Sequence, residues 1–89
     1  MKKWRVELSA KAVKQFKKLG AHEKRQISSA IDKLAINPLS QQTKKLNAPV
    51  DLYRIRTGHY RIIYEIESGK LKTLVLHIAH RKDVYRFLN

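Results

Sequence analysis

The spacing of apolar residues in the first part of the chain predicts one β-strand and two α-helices. Residues 4–8, WRVEL, alternate between apolar and polar positions, which indicates a strand with one buried face. Ser9 is a suitable helix N-cap, and residues 10–19 follow with helical apolar spacing. The same spacing predicts a second helix over about residues 22–36, which Pro38 ends because the residue before a proline avoids the helical conformation. The two apolar stripes consist of Ala12, Val13, Phe16 and Leu19, and of Ile27, Ala30, Ile31 and Leu34.

The remaining pattern predicts three strands. Residues 52–66, LYRIRTGHYRIIYEI, indicate two strands joined by a two-residue turn at Thr57-Gly58. Residues 69–79 predict a further strand, and the apolar spacing of residues 82–88 is that of a short C-terminal helix.

This order of elements predicts a single α+β domain comprising residues 1–89. Its expected architecture is a two-layer one, β-α-α-β-β-β, in which an antiparallel sheet of about four strands packs on the two N-terminal helices. The stretch between Pro38 and the hairpin is mostly loop, with Leu46 as the expected anchor to the core. The first strand joins the sheet at an edge or beside the last strand, and the sequence leaves this position open.

The predicted hairpin concentrates arginines on one face of the sheet. With the turn given above, Arg56 is expected opposite His59, and Arg54 opposite Arg61, so that all four share a face. Like charges that oppose each other across strands are destabilising, so an anion-binding site is a better explanation than a merely solvated face. The other face of the hairpin is apolar and carries Tyr53, Ile55, Tyr60 and Ile62.

The charge of the chain agrees with an anionic partner. Lysine and arginine number 20 against 7 acidic residues, a formal net charge of +13. Such an imbalance destabilises a compact state through self-repulsion and favours a nucleic acid, an anionic membrane surface or an acidic protein as partner. The chain has no cysteine, which excludes disulfides and thiol chemistry. The N-terminus is a poor signal peptide, and no segment is apolar enough to span a bilayer.

The C-terminal stretch HIAHRKDVYR, residues 77–86, adds further basic and aromatic residues. If the last strand lies beside the second hairpin strand, its exit lies near an end of the sheet. A tail that turns back there would form the second wall of a basic groove. A frayed basic helix explains the same residues equally well. The residues concerned are His80, Arg81, Lys82, Tyr85 and Arg86.

Two motifs and the overall layout point to a known family. The hairpin contains a G-x-[YF]-R core, and LVLHIAHRKDVYR combines a closing strand with an HRxxVY-like tail. The layout has a first strand, two helices, an Asn-Pro loop with KKL, and then the hairpin. Over essentially its full length the chain resembles the RelE toxins of the RelE/ParE group of toxin–antitoxin systems.

The resemblance implies a microbial-RNase-like fold and a ribosome-dependent endoribonuclease. Such a cytoplasmic toxin enters the ribosomal A site and cleaves translated mRNA by 2′-OH attack, without a metal or a cofactor. It leaves a 2′,3′-cyclic phosphate and a 5′-OH. The implied partner is a cognate antitoxin, acidic and partly disordered, in a hetero-oligomeric complex that binds DNA through the antitoxin. No membrane partner is implied.

The resemblance also implies roles for single residues. Arg61 corresponds to the arginine that binds the scissile phosphate, and Arg54 and Arg56 to the basic positions of the preceding strand. Arg81 corresponds to the residue that protonates or stabilises the leaving oxygen, and Tyr85 to a tyrosine that orients the nucleotide. The expected catalytic set is thus Arg61, Arg81, Tyr85 and Arg56. The expected RNA- or phosphate-binding set is Arg54, Arg56, His59, His80, Lys82 and Arg86.

The identity of the general base stays open. In some family members a lysine at one of these two strand positions can serve as the base, but this chain has Arg54 and Arg56 there, and arginine cannot accept a proton. Tyr85, His59 and His80 are candidates, although a backbone hydrogen bond explains His80 better. His22 and His77 are expected to be structural.

Two other functions also remain open. One is a ParE-like toxin that binds and poisons DNA gyrase, and the other is a plain basic RNA-binding module. Aromatic residues make up only 8% of the chain, which gives little sign of a base-stacking platform.

Overall fold

A computed structural model describes residues 5–39, 43–46, 52–67, 72–80 and 82. The described elements are two helices and five strands. In chain order they are β1 (Arg5–Leu8), α1 (Ala10–Lys17), α2 (Ala21–Ile36), β2 (Thr43–Lys45), β3 (Leu52–Thr57), β4 (Tyr60–Glu67) and β5 (Lys72–His80).

The strands form one mixed sheet in the order β1-β5-β4-β3-β2. β1 lies at the edge and pairs parallel with β5, whereas the other neighbouring strands are antiparallel. The predicted α+β class is confirmed, and the position of the first strand is now defined. β2 lies in the stretch that was predicted to be mostly loop. The sequence did not indicate this strand, because its three residues, all polar, are too few to give an alternating apolar pattern.

Both helices pack on one face of the sheet, as the apolar stripes predict. Ala12 of α1 and Ile27 of α2 are fully buried, and they contact residues of the three central strands. Val13 alone in the two stripes stays substantially exposed. The main core combines buried residues of both layers, which are Ala12, Ile27, Ala30, Leu34, Ile55, Ile62, Tyr64, Ile66, Val75 and Ile78.

The hairpin turn differs from the prediction by one residue. Thr57 pairs with Tyr60, so the turn residues are Gly58 and His59 rather than Thr57 and Gly58. Gly58 has φ +60°, a conformation that favours glycine and that both common two-residue turns require at their first central position. The predicted turn would have placed threonine there. Both registers place Arg54, Arg56 and Arg61 on one face, because moving the turn by one residue moves the pairing by two, which preserves the faces.

A β-bulge interrupts the pairing of β4 with β5. Ile63 pairs with His77 while the next residue, Tyr64, pairs with Val75, so that Leu76 is the extra residue. The Leu76 carbonyl accepts a hydrogen bond from Ser9 Oγ at 2.8 Å. The same Ser9 oxygen accepts one from the Ala12 amide at 3.0 Å and so caps α1, as predicted. One hydroxyl therefore joins the start of α1 to the bulge.

Two further hydrogen bonds attach α1 and its N-cap to the backbone of β5, on the side of that strand where β1 pairs. The Ser9 amide donates to the Val75 carbonyl at 2.8 Å. The Ile78 amide donates to Gln15 Oε1 at 2.7 Å. The pairing of β1 with β5 ends at Val75. The Ser9 amide and the Gln15 side chain therefore take the place of a longer β1 as hydrogen-bond partners of the β5 backbone.

The C-terminal helix predicted over residues 82–88 lies outside the described residues, apart from Lys82. The strand start at Trp4 also lies outside them. Neither helix in the described part of the chain is long and apolar enough to cross a membrane.

We expect Ser9→Ala to lower the free energy of unfolding by about 2 kcal/mol. Loss of an N-cap costs about 1 kcal/mol, and loss of the hydrogen bond to the bulge carbonyl costs about 1 kcal/mol more. Urea unfolding followed by circular dichroism measures the change. Ser29→Ala is the matched control, because Ser29 is exposed within α2 and alanine has the higher helix propensity there. A Ser9→Ala protein as stable as the control would contradict the proposed double role of the hydroxyl.

Candidate anion-binding site

Three arginines share the face of the sheet opposite the helices. Arg56 of β3 lies directly opposite Arg61 of β4, and Arg54 lies two residues before Arg56 on the same face. The predicted partners were wrong by two residues along β4, since Arg54 lies opposite Ile63 rather than Arg61, and Arg56 lies opposite Arg61 rather than His59. The predicted convergence of the three arginines on one face nevertheless holds. We call this surface, defined by Arg54, Arg56 and Arg61, the arginine face.

The three arginines differ in how far they are buried. Arg56 is exposed, Arg61 is half-buried and Arg54 has an exposed fraction of only 7%. A guanidinium in a partly dry environment interacts more strongly with an anion than one in bulk water, because the local dielectric is lower. The arginine face therefore combines one accessible cation with two that are progressively shielded.

The position of Arg61 is fixed by the hairpin turn. Its Nη1 atom donates to the Tyr60 carbonyl at 3.0 Å and to the Gly58 carbonyl at 3.5 Å. The guanidinium thus lies at the turn, beside the residue that carries the positive φ angle. A guanidinium is planar, and its N–H groups form the fork geometry that suits a phosphate.

A small apolar cluster lies on the same side of the sheet. Ile63 is fully buried and Ala79 is 6% exposed, and Leu46 packs against them. Ala79 pairs with Arg61, and Ile63 pairs with Arg54, so the cluster lies among the arginines. Leu46 is an anchor, as predicted, but it supports this second cluster and not the main core.

On the same side of the sheet, the acidic residues Glu7 and Glu67 lie toward the end that is farther from the hairpin turn. Glu7 of β1 forms ion pairs with Arg5 at 3.1 Å and with Lys72 at 3.2 Å. Glu67 pairs with Lys72 in the ladder, six residues along β4 from Arg61. The face therefore changes from charges of both signs, some of them ion-paired, at that end to arginines at the hairpin end.

Two histidines and a tyrosine form an aromatic cluster at the hairpin end. The rings of His59 and His80 are stacked, with centroids 6.1 Å apart and planes 21° apart. Tyr60 approaches His80 edge-on at 5.6 Å. His59 was predicted on the arginine face, but it is a turn residue and its ring lies against His80. Sequence reasoning missed the cluster because His59 and His80 are far apart in the chain and become neighbours only through the pairing of Tyr60 with His80.

His80 is tied to the backbone, as its position at a strand end suggested. The Lys82 amide donates to His80 Nδ1 at 3.2 Å, while the Lys82 side chain is exposed. This hydrogen bond requires a lone pair on Nδ1 and fixes the orientation of the ring. Arg81, Tyr85 and Arg86, which were predicted beside it, lie outside the described residues.

His77 lies on the same side of the sheet as the arginines, opposite Ile63. Its pKa is lowered from 6.5, first by desolvation and then by the positive charge of Lys11. A neutral imidazole on a cationic face agrees with the predicted structural role.

Comparison with known proteins identifies the class to which this fold belongs. The family model described as the ParE toxin of the type II toxin–antitoxin system parDE matches residues 6–85. The chain therefore belongs to this toxin family, within the RelE/ParE group that the sequence resembles.

Individual relatives carry RelE names, which confirms the predicted resemblance. The chain is 27% identical over 88 residues to Toxin RelE of Mycobacterium tuberculosis, covering 93% of this chain and 87% of the relative. It is 29% identical over 79 residues to Toxin RelE3 of Methanocaldococcus jannaschii, covering 84% and 88%. Its fold is similar to RelE in the crystal structure of an archaeal RelE–RelB complex from Pyrococcus horikoshii. The TM-score is 0.79 at 28% identity, with 91% of this chain and 97% of that chain covered.

We expect Arg56→Gln to stabilise the protein by about 0.5 kcal/mol at low salt, because it removes one like-charge pair across the strands. The gain should shrink in about 1 M salt, where exposed charges are screened. Urea unfolding at the two salt concentrations measures both effects. Arg25→Gln, an exposed position on α2, controls for the general reduction of positive charge. An equal gain in both variants would mean that the opposed arginines do not repel each other specifically.

We expect His77 to make the protein less stable in mild acid. Because its pKa is lowered in the folded state, the unfolded chain takes up the proton first. Stability from this source is complete above the unfolded value of 6.5 and is lost as the pH falls toward the folded pKa. The urea midpoint should therefore fall less in His77→Gln than in the wild type between about pH 7.5 and about pH 5. His22→Gln, at an exposed position of α2, should behave like the wild type.

Proposed function

We propose that the protein is a ribosome-dependent endoribonuclease that cleaves translated mRNA in the cytoplasm. The observation that supports this function best is the convergence of Arg54, Arg56 and Arg61 on one sheet face. Two of these cations oppose each other directly, which a protein selected only for stability would avoid. An RNA phosphate that binds between them offsets the repulsion.

The proposed reaction is an attack of a ribose 2′-oxygen on the adjacent phosphorus. The P–O5′ bond breaks, leaving a 2′,3′-cyclic phosphate and a 5′-OH. The intermediate carries more negative charge than the phosphodiester, so preorganised donors stabilise it more than the substrate. The Arg61 guanidinium contacts the non-bridging oxygens, and Arg56, across the ladder, contributes the second cation.

The proton transfers need other groups, because an arginine guanidinium stays protonated. Tyr85, His59 and His80 remain the candidates for the base that accepts the 2′-OH proton. Arg81 is proposed to stabilise the leaving 5′-oxygen by hydrogen bonding, and the protonated base or a water molecule supplies the proton that completes the 5′-OH. Lys82 and Arg86 extend the phosphate-binding surface. This route needs neither a metal nor a cofactor.

We further propose that a cognate antitoxin neutralises the toxin. The solved structure from Pyrococcus horikoshii is named as a RelE–RelB complex. The net charge of +13 suits an acidic segment that orders on binding, and such a segment would compete with RNA for the arginine face. The resulting complex would be hetero-oligomeric and would bind DNA through the antitoxin.

A second candidate function comes from the family model, which is named for the ParE toxin. In that case the protein binds and inhibits DNA gyrase without cleaving RNA. The arginine face would then be a docking surface.

We expect expression of the wild-type chain in bacteria to produce new mRNA 5′ ends within translated codons. Arg61→Ala should reduce these cuts by about 100-fold or more, since it removes a donor to the charged intermediate. Arg61→Lys should recover only part of the activity, because lysine lacks the bidentate fork. A translation inhibitor should abolish the cuts. Mapping of 5′ ends by sequencing measures all of these effects.

Arg25→Ala is the matched control, because Arg25 is exposed on α2 and lies away from the arginine face. It should cut like the wild type. Growth arrest with intact mRNA would reject the nuclease and favour the gyrase-binding alternative. Undiminished cleavage by Arg61→Ala would reject the role assigned to the arginine face.

A further inference from the structure

Gln26 of α2 has no part in the chemistry described above, yet its side chain lies against the hairpin turn beside the arginine face. Gln26 is half-buried and precedes Ile27, which is fully buried in the main core. It therefore belongs to the helical layer, on the other side of the sheet from the arginine face. Because the same turn holds the Arg61 guanidinium, this contact links the helices to the candidate site.

The contact between Gln26 and the turn is close. A β-carbon added at Gly58 would lie 3.1 Å from Gln26 Oε1 and 3.7 Å from the carbon and the nitrogen of the same amide. The first distance is shorter than ordinary van der Waals contact, so only the hydrogen atom of a glycine fits there without displacing the glutamine. Gly58 also has φ +60°, which favours glycine. Glycine at this position therefore serves both the shape of the turn and its close approach to α2.

The carbonyl of the same glycine helps to hold Arg61. Arg61 Nη1 donates to the Gly58 carbonyl at 3.5 Å and to the Tyr60 carbonyl at 3.0 Å. Two acceptors for one nitrogen set the orientation of the planar guanidinium, and loss of one of them constrains it less. The bond to Gly58 is already at the long limit for a hydrogen bond, so a small displacement of the turn breaks it. The orientation of Arg61 thus depends on where the turn lies.

We propose that Gln26 is a positioning residue for the Arg61 guanidinium and acts through the Gly58 carbonyl. This inference rests on the proposed cleavage of RNA and adds to it a residue that does not touch the substrate. The Gln26 side chain holds the hairpin turn against α2, and the turn presents its carbonyls to Arg61 in fixed positions. Arg61 is then oriented before RNA binds, as stabilisation of the charged intermediate requires. The contribution of Gln26 therefore lies in the rate of the chemical step and not in the affinity for RNA.

Substitutions of Gln26 separate this role from a general effect on stability. Gln26→Ala removes the group that contacts Gly58, and alanine is at least as good a helix former as glutamine. Gln26→Met keeps the length of the side chain and fills the same space beside the turn. Ser29→Ala is the matched control, since Ser29 is exposed on the same helix. Urea unfolding shows whether each variant is folded, and Gln26→Asn, which withdraws the amide by one methylene group, replaces Gln26→Ala if that variant is unfolded.

The first measurement is single-turnover cleavage of mRNA on purified ribosomes at increasing toxin concentrations. In Gln26→Ala the maximal rate should fall about tenfold, while the half-saturating concentration should stay within about twofold of the wild-type value. Gln26→Met should recover most of the rate, and Ser29→Ala should cut like the wild type. In an Arg61→Ala background, Gln26→Ala should cause no further loss, because the guanidinium that it positions is no longer there.

The second measurement observes the guanidinium directly and needs no cleavage. The nitrogen–proton NMR signal of Arg61 Nε is assigned by its disappearance in Arg61→Lys, and its heteronuclear NOE reports fast motion of the side chain. In the wild type this NOE should be that of an ordered group. It should fall in Gln26→Ala and stay unchanged in Gln26→Met and Ser29→Ala.

An unchanged Arg61 NOE in a folded Gln26→Ala variant would overturn the positioning role, and so would an unchanged maximal rate in an active enzyme. A tenfold loss that persists in the Arg61→Ala background would overturn it as well, since Gln26 would then act on another group. A loss in Gln26→Met as large as in Gln26→Ala would reject packing against the turn as the cause. The two measurements also separate this role from the nuclease. If the wild type does not cut RNA but the NOE falls in Gln26→Ala, only the nuclease fails, and Gln26 still positions Arg61.

Discussion

The hydroxyl group of Ser9 connects the helical layer to the sheet at the position on which the rest of the arrangement depends. It caps α1 through the Ala12 amide and donates to the carbonyl of Leu76, the extra residue of the bulge. If the register of the first half of β5 continued past this point, His77 and Ala79 would face the helices. With the bulge, Ile78 enters the main core, and Ala79 lies beside Arg61 on the opposite face.

The arginine face shows a conflict between stability and charge. Its centre is apolar enough to bury Ile63 completely, yet it also places two arginines directly opposite each other. A helix over this face would shield the apolar cluster, but it would also close the surface to a polyanion. Both helices of the described part of the chain lie on the other side. Buried apolar contacts thus lie beside the arginines, of which Arg56 is exposed, an arrangement typical of functional sites.

Most of the fold was predictable because its signals are local. The Ser9 cap, the two helical stripes and the alternation of the hairpin each lie within a few residues. The arginine face was predictable despite the wrong turn, because the two registers differ by two residues and side chains alternate between faces with a period of two. The contact between His59 and His80 was not predictable, since it depends on the pairing of β4 with β5. The apolar run LVLHIA also conceals the bulge, because its residues suit either face.

The bulge has a consequence for comparing this chain with its relatives. A relative that lacked a residue at the position of Leu76 would have a regular β5 ladder, with Val75 and Ile78 still facing the helices and His77 still facing the other side. A bulge can thus absorb a one-codon insertion without exchanging the two faces of a strand. Alignments within the family should therefore allow a single-residue gap at Leu76, inside an element where gaps are normally penalised, so that the arginines and the closing motif are matched correctly on both sides of it.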